Sequence, residues 1–114
     1  MNASHDKGLI QPTQQQLDEL VRRLVEALHP LRIYLFGSHA RGDAGPDSDV
    51  DLLILIDDER LARMDADAAG YRALRGTFVA AELHIVGQAD FERRIARTPF
   101  GREILKTGRL LYAA

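Results

Sequence analysis

Residues 50–56 read Val-Asp-Leu-Leu-Ile-Leu-Ile, a strand-length apolar run broken by a single carboxylate. A strand with one face in water alternates apolar and polar residues. A run this continuous needs cover on both faces. It therefore predicts the central strand of a sheet with helices packed against it. Asp51 sits flush against Leu52 to Ile56, where a solvated carboxylate is out of place. A buried acid needs a pairing partner or a metal.

The flanking sequence fits that frame. Thr13 and Gln16 form a capping-box pattern, and Leu17, Leu20, Val21, Leu24 and Leu28 recur at helical spacing. They predict an amphipathic helix running to about His29 and stopped by Pro30. Leu31 to Phe36 is a short β-rich run ending at Gly37, Ser38 to Gly42 a brief helical turn, and Asp43 to Ser48 a loop. Leu61, Met64, Ala68, Tyr71 and Leu74 mark a second amphipathic helix, broken at Gly76. Phe78 to Val86 reads as a third strand and Asp90 to Arg97 as helical. Thr98-Pro99 opens another helix with a cap and a first-turn proline, and Gly108 closes it. Leu110 to Tyr112 is a short last strand, either core or a partner-facing edge. Residues 1–12 read as a flexible tail and 13–114 as a single domain. The fold class is α/β, a small mixed sheet flanked by helices.

The chemistry gathers around two short segments. Asp49 and Asp51 are two residues apart, so a strand projects them from one face. Acids that close repel unless a positive charge lies between them, and a divalent cation with oxygen ligands meets that need. Upstream, Gly37-Ser38 follows one strand and precedes these acids. The glycine permits close backbone approach to a phosphate, and Ser38 offers a hydroxyl and an N–H. Arg41, one turn on, is placed to clamp a triphosphate in bidentate fashion; a plain surface charge is the competing reading. His39 reads as a loop residue. Glu82 interrupts an otherwise apolar strand, which suggests a third metal ligand or a base for an attacking hydroxyl. An ion pair to an arginine is its alternative. His84 shares the face of Glu82 as a hydrogen-bond partner behind it or a satisfied histidine. The arginines of 93–109 alternate with acids and read as a solvated face.

Composition removes other classes. With 114 residues, 46% of them hydrophobic, the chain suits one small domain with a core. At that size some apolar surface is better covered by a partner. A net charge of −2 with no basic run argues against direct nucleic-acid binding. The absence of cysteine excludes thiolate metal sites. Neither a membrane-length apolar run nor a hydrophobic signal core is present, which predicts a soluble cytoplasmic protein with no membrane association.

Gly37-Ser38, ten residues, then Asp49-Val50-Asp51 resembles the signature of the DNA polymerase β-like nucleotidyltransferase superfamily. Within it the chain is similar to the minimal nucleotidyltransferase (MNT) proteins. The resemblance spans residues 13–114, including the closing Gly108-Arg109-Leu110-Leu111-Tyr112. It implies the polymerase β-like fold. It implies that Gly37 and Ser38 hold the β- and γ-phosphates of a nucleoside triphosphate, with ATP as substrate, while Asp49 and Asp51 hold two Mg²⁺ ions. The family's third carboxylate comes from a later strand, here Glu82, where members often carry Asp. The implied reaction is two-metal nucleotidyl transfer with loss of pyrophosphate. Small members of this group resemble antitoxins paired with a HEPN-domain ribonuclease toxin, some of which add AMP to a toxin tyrosine, and a complex with that partner is expected. The alternatives are a non-catalytic interaction protein of the same fold and a nucleotidyltransferase for a small hydroxyl compound.

Overall fold

The structure is a computed structural model that describes residues 12–45 and 48–114. Apart from Pro12, the expected tail lies outside the described residues, as do Pro46 and Asp47 of the loop. In chain order the elements are α1 (Gln14–Leu28), β1 (Arg32–Phe36), α2 (Ser38–Arg41), β2 (Val50–Ile56), α3 (Asp58–Leu61), α4 (Ala66–Ala73), β3 (Ala81–Gly87), α5 (Gln88–Arg93), a 3₁₀ turn (Ile95–Arg97), α6 (Pro99–Thr107) and β4 (Arg109–Ala113).

One mixed sheet runs in the order β3-β2-β1-β4. β2 pairs antiparallel with β1 and parallel with β3, and β1 pairs antiparallel with β4. The parallel pair needs a crossover, which α3 and α4 supply. Alternation along β2 splits the core in two. Val50, Leu52, Ile54 and Ile56 pack with Leu17, Leu20, Leu24 and Leu28 of α1, and with Ala66 and Leu74. Leu53 and Leu55 pack on the other face with Phe91 and Ile104. Each fully buried aliphatic side chain contributes about 1.5–3 kcal/mol, so the run that looked covered on both faces supplies more of the core than any other single element.

Local signals act as expected at most helix ends. The Thr13 hydroxyl accepts from the Gln16 N–H, and the Gln16 side chain accepts from the Thr13 N–H, closing the capping box. Thr98 caps α6 with Pro99 in its first turn. Gly108 closes α6 by donating its N–H to Ile104 O at 2.8 Å.

Three predicted elements differ. The helix expected over Leu61 to Leu74 is shorter: α3 ends at Leu61, and α4 begins only at Ala66, where the Asp65 carboxylate caps a new start by accepting from Ala68 N–H, as Asp57 does for α3 from Arg60 N–H. Such local bonds compete with helix continuation. The buried positions are then Ala66, Gly70 and Leu74, while Tyr71 is about half-exposed. The Tyr71 hydroxyl still accepts from Leu83 N–H at 3.0 Å. The third strand starts at Ala81 rather than Phe78, whose side chain is 99% exposed. The helix expected over Asp90 to Arg97 is α5 followed by the 3₁₀ turn. At the chain's end β4 is an edge strand, with Leu111 and Tyr112 against the core and Leu110 half-exposed.

Arg23 ties α1 to the chain following α4. Its Nη1 donates to Ala73 O at 3.2 Å and Arg75 O at 2.7 Å, and its Nε pairs with Glu19 at 2.8 Å. Hydrogen bonds to Arg22 and Arg23 lower the Glu19 carboxyl from 4.5 to about 2. We expect Arg23→Ala to cost about 1 kcal/mol, since it removes two hydrogen bonds that join α1 to the chain after α4. The readout is a lower urea midpoint at unchanged m-value. Glu19→Gln lowers the midpoint at neutral pH as well. A depressed carboxyl contributes fully above its ordinary value of 4.5 and loses that contribution as pH falls through about 2, where parent and Glu19→Gln melt alike.

Candidate active site

Strand register assembles the polar end of one sheet face. Phe36, the last residue of β1, lies opposite Asp51, and Asp51 lies opposite Glu82. Because side chains alternate, Tyr34 and Phe36, Asp51 and Leu53, and Glu82, His84 and Val86 share that face. Phe91 and Ile104 cover its apolar part. Beyond that cover stand Asp51 and His84, both half-buried, and Glu82, which is exposed; one ligand atom from each lies within 4.8 Å of the others.

β1 leads directly into Gly37, which has φ +76° and ψ −156°, a conformation essentially reserved for glycine. A Cβ at Gly37 would collide with Oδ2 of Asp51. The backbone of the Gly-Ser turn therefore lies directly on the Asp51 carboxylate, at a distance only glycine permits. Ser38 begins α2, and the Gly37 carbonyl accepts from the Ala40 and Arg41 N–H groups at 3.1 Å each. The first N–H groups of such a turn have no partner within it. His39 adds a brace, its Nε2 lying 3.0 Å from the carbonyl oxygen of Ser48. With Nε2 protonated, this bond ties the Gly-Ser turn to the residue before Asp49.

The predicted residues thus fall into two groups. Gly37, Asp51 and Glu82 are brought together, with Ser38 adjoining. Asp49 lies one residue before β2, exposed, and outside the tight group. Arg41 is directed to Asp43, with Nε–Oδ2 at 3.3 Å. Among the described residues Glu82 pairs with no arginine, and its ionic partner is His84, with Nε2–Oε1 at 3.6 Å. Two residues mattered more than their sequence positions suggested. His84 stands inside the cluster rather than behind it, and His39 is a brace rather than a free loop residue. The clue for His84 was its place on the same strand face as Glu82. For His39 no local signal existed.

Partial burial, and then the neighbouring Glu82 carboxylate, push the Asp51 carboxyl above the ordinary range. Asp49 adds to this, while His84 and His39 oppose it. The repulsion between acids on adjacent strands is thus offset by histidines rather than by a lysine or arginine. Two carboxylates and an imidazole at this spacing, with the acids in mutual repulsion, fit a divalent cation.

A family profile for the nucleotidyltransferase domain matches residues 16–111. The chain belongs to this family. The family indicated by Gly37-Ser38 and Asp49-Val50-Asp51 is thereby borne out. A solved structure of a protein assigned as a nucleotidyltransferase, from Sulfolobus solfataricus, superposes on this nucleotidyltransferase domain with TM-score 0.58. It shares 21% identity and covers 87% of this chain and 78% of its own. A toxin–antitoxin structure with AMP-PNP superposes with TM-score 0.57 at 19% identity, covering 85% and 73%. At these identities the likeness establishes a shared fold, the mixed four-stranded sheet with its helices. No curated protein matches the sequence significantly.

The raised Asp51 carboxyl has a testable consequence in the metal-free nucleotidyltransferase. The folded state favours protonated Asp51, so this stabilising contribution is present below the ordinary Asp value and is lost as pH rises through the folded value. Asp51→Asn mimics the protonated form. It should raise the melting temperature of metal-free protein at neutral pH, and the gain should vanish in acid below the ordinary carboxyl range. A lower melting temperature at neutral pH would contradict this electrostatic account.

Proposed function

We propose that this chain transfers AMP from ATP to a tyrosine hydroxyl of a HEPN-type toxin, in a complex with that toxin in the cytoplasm. The observation that carries the reading is the Gly37 backbone resting on the Asp51 carboxylate, with Glu82 opposite Asp51 on the next strand. The closeness of Gly37 to the two acids supports a phosphate turn working beside metal ligands. Asp49, Asp51 and Glu82 would hold two Mg²⁺ ions. When bound, these supply charge neutralisation of the triphosphate and acidify the attacking hydroxyl.

The chain's own groups then have separate tasks. The Gly37-Ser38 turn binds the β- and γ-phosphates through its N–H groups and the Ser38 hydroxyl, fixing the α-phosphorus for in-line attack. Arg41 exchanges its exposed contact with Asp43 for the triphosphate. Glu82 accepts the proton from the tyrosine oxygen. A bond forms between that oxygen and the α-phosphorus, the bond from the α-phosphorus to the bridging oxygen breaks, and pyrophosphate leaves with the electron pair. Glu82 is exposed, so a hydroxyl presented by another protein reaches it. The likeness in fold to a toxin–antitoxin structure with AMP-PNP supports a toxin as that protein. No helix among the described residues is long and apolar enough to cross a membrane, in keeping with a complex formed away from one.

A non-catalytic antitoxin is the second reading. It is favoured by Asp49 lying outside the tight group and by Glu at the position where the family often has Asp. Intact-mass spectrometry of a purified HEPN toxin, after incubation with this protein and Mg–ATP, separates the readings. Transfer predicts mass increments of one AMP. Glu82→Gln should slow transfer by about 10²-fold or more while keeping much of the nucleotide affinity, and Glu82→Asp should remain partly active. Neutralisation of the toxin without a mass change supports the interaction reading. Failure to bind any HEPN toxin overturns both and favours a small hydroxyl compound as acceptor.

A further inference from the structure

We propose that His84 is a direct metal ligand of this site and that its imidazole makes the site select Mn²⁺ over Mg²⁺. The inference rests on Asp51 and Glu82 being metal ligands and goes beyond the carboxylate set considered above. One nitrogen of His84, one oxygen of Asp51 and one oxygen of Glu82 already lie within 4.8 Å of one another. Ligand atoms around a small divalent ion with bonds of about 2.1 Å sit roughly 3–3.5 Å apart. The remaining contraction falls mainly on Glu82, the exposed member of the three.

The imidazole is available for this role. Nε2 is 3.6 Å from Glu82 Oε1, too long for a good hydrogen bond. Neither ring nitrogen of His84 makes a hydrogen bond among the described residues. The ring is nevertheless held in place. Its centroid is 5.1 Å from that of Phe36, at 65° between planes, and 5.9 Å from that of Phe100, at 46°. Phe36 and Phe100 brace each other edge to face at 5.4 Å and 89°. A ligand ring fixed by aromatic packing loses little further freedom on metal binding. Two carboxylates alone suit Mg²⁺, which prefers oxygen and keeps its waters. Adding an imidazole shifts the preference towards first-row transition ions, and among these Mn²⁺ is the ion that, like Mg²⁺, suits carboxylate, carbonyl and water oxygen.

Titration calorimetry of the full chain with Mn²⁺ and Mg²⁺ tests the idea. Mn²⁺ should bind at least about tenfold more tightly. His84→Phe preserves the aromatic packing and should weaken Mn²⁺ by about tenfold or more, leaving Mg²⁺ nearly unchanged and erasing the selectivity. As a readout that needs no variant, the His84 ring nitrogen resonance should shift on stoichiometric Zn²⁺, used as a diamagnetic probe. If His84→Phe keeps the Mn²⁺/Mg²⁺ ratio and the ring nitrogens do not move, while Asp51→Asn abolishes binding, His84 is not a ligand but the carboxylate site stands. If neither ion binds the parent, or Asp51→Asn leaves binding unchanged, both fail.

Discussion

The burial of β2 on both faces is the constraint on which this structure depends. From Leu52 to Ile56 every side chain is buried, alternately against α1 with α4 and against α5 with α6. Asp51 is the single carboxylate on that strand, at the end where cover stops. Its direction is fixed, because a shift of one residue would turn Asp51 onto the face where Val50 is now buried and interchange the side chains that meet the two layers. Packing far from the site thus fixes where this acid points. The parallel partner β3 sets Glu82 opposite it, and the antiparallel partner β1 delivers Gly37 onto it.

Much of this was legible in the chain because it follows from short-range rules. The apolar run at 50–56 announced a central strand, and period-two alternation assigned Glu82 and His84 to one face. Thr13, Pro30 and Thr98 marked helix ends by capping and sterics. The misread elements have physical causes. Asp65 looks like the polar side of the helix expected over Leu61 to Leu74, yet its carboxylate caps a fresh start, as Asp57 does for the short α3 before it. Phe78 and Val79 have high strand propensity, but they follow a turn with Gly76 at φ +87°, and the Val79 N–H bonds locally to Thr77 O before β3 begins at Ala81. What the sequence did not carry was register. A strand's faces follow from its own residues, whereas its opposite neighbours depend on a non-local pairing. So the types of residue at the site were readable, and their adjacency was not.

The same packing explains why the site is open. The helices that cover the sheet end before its polar edge, leaving Glu82 exposed beside a small aromatic group of Phe36, His84 and Phe100. Rigid strands hold the acids, while the Gly-Ser turn is anchored at one end by its contact with Asp51 and at the other by the His39 brace to Ser48. A site built on rigid elements with an open mouth suits an acceptor brought by another molecule. Under the proposed function, the choice of acceptor then rests with the partner's surface.

The central claim is that the Gly37-Ser38 turn and the Asp51–Glu82 pair form one metal–nucleotide site. An amide-resolved NMR titration with Mg²⁺ and a non-hydrolysable ATP analogue tests it most directly. The account predicts shifts concentrated at Gly37 to Gly42, Asp49 to Leu52 and Glu82 to His84, requiring both metal and nucleotide and abolished by Asp51→Asn. Shifts that survive in Asp51→Asn, or that concentrate elsewhere, such as around Asp57, Arg60 and Arg63, would contradict it.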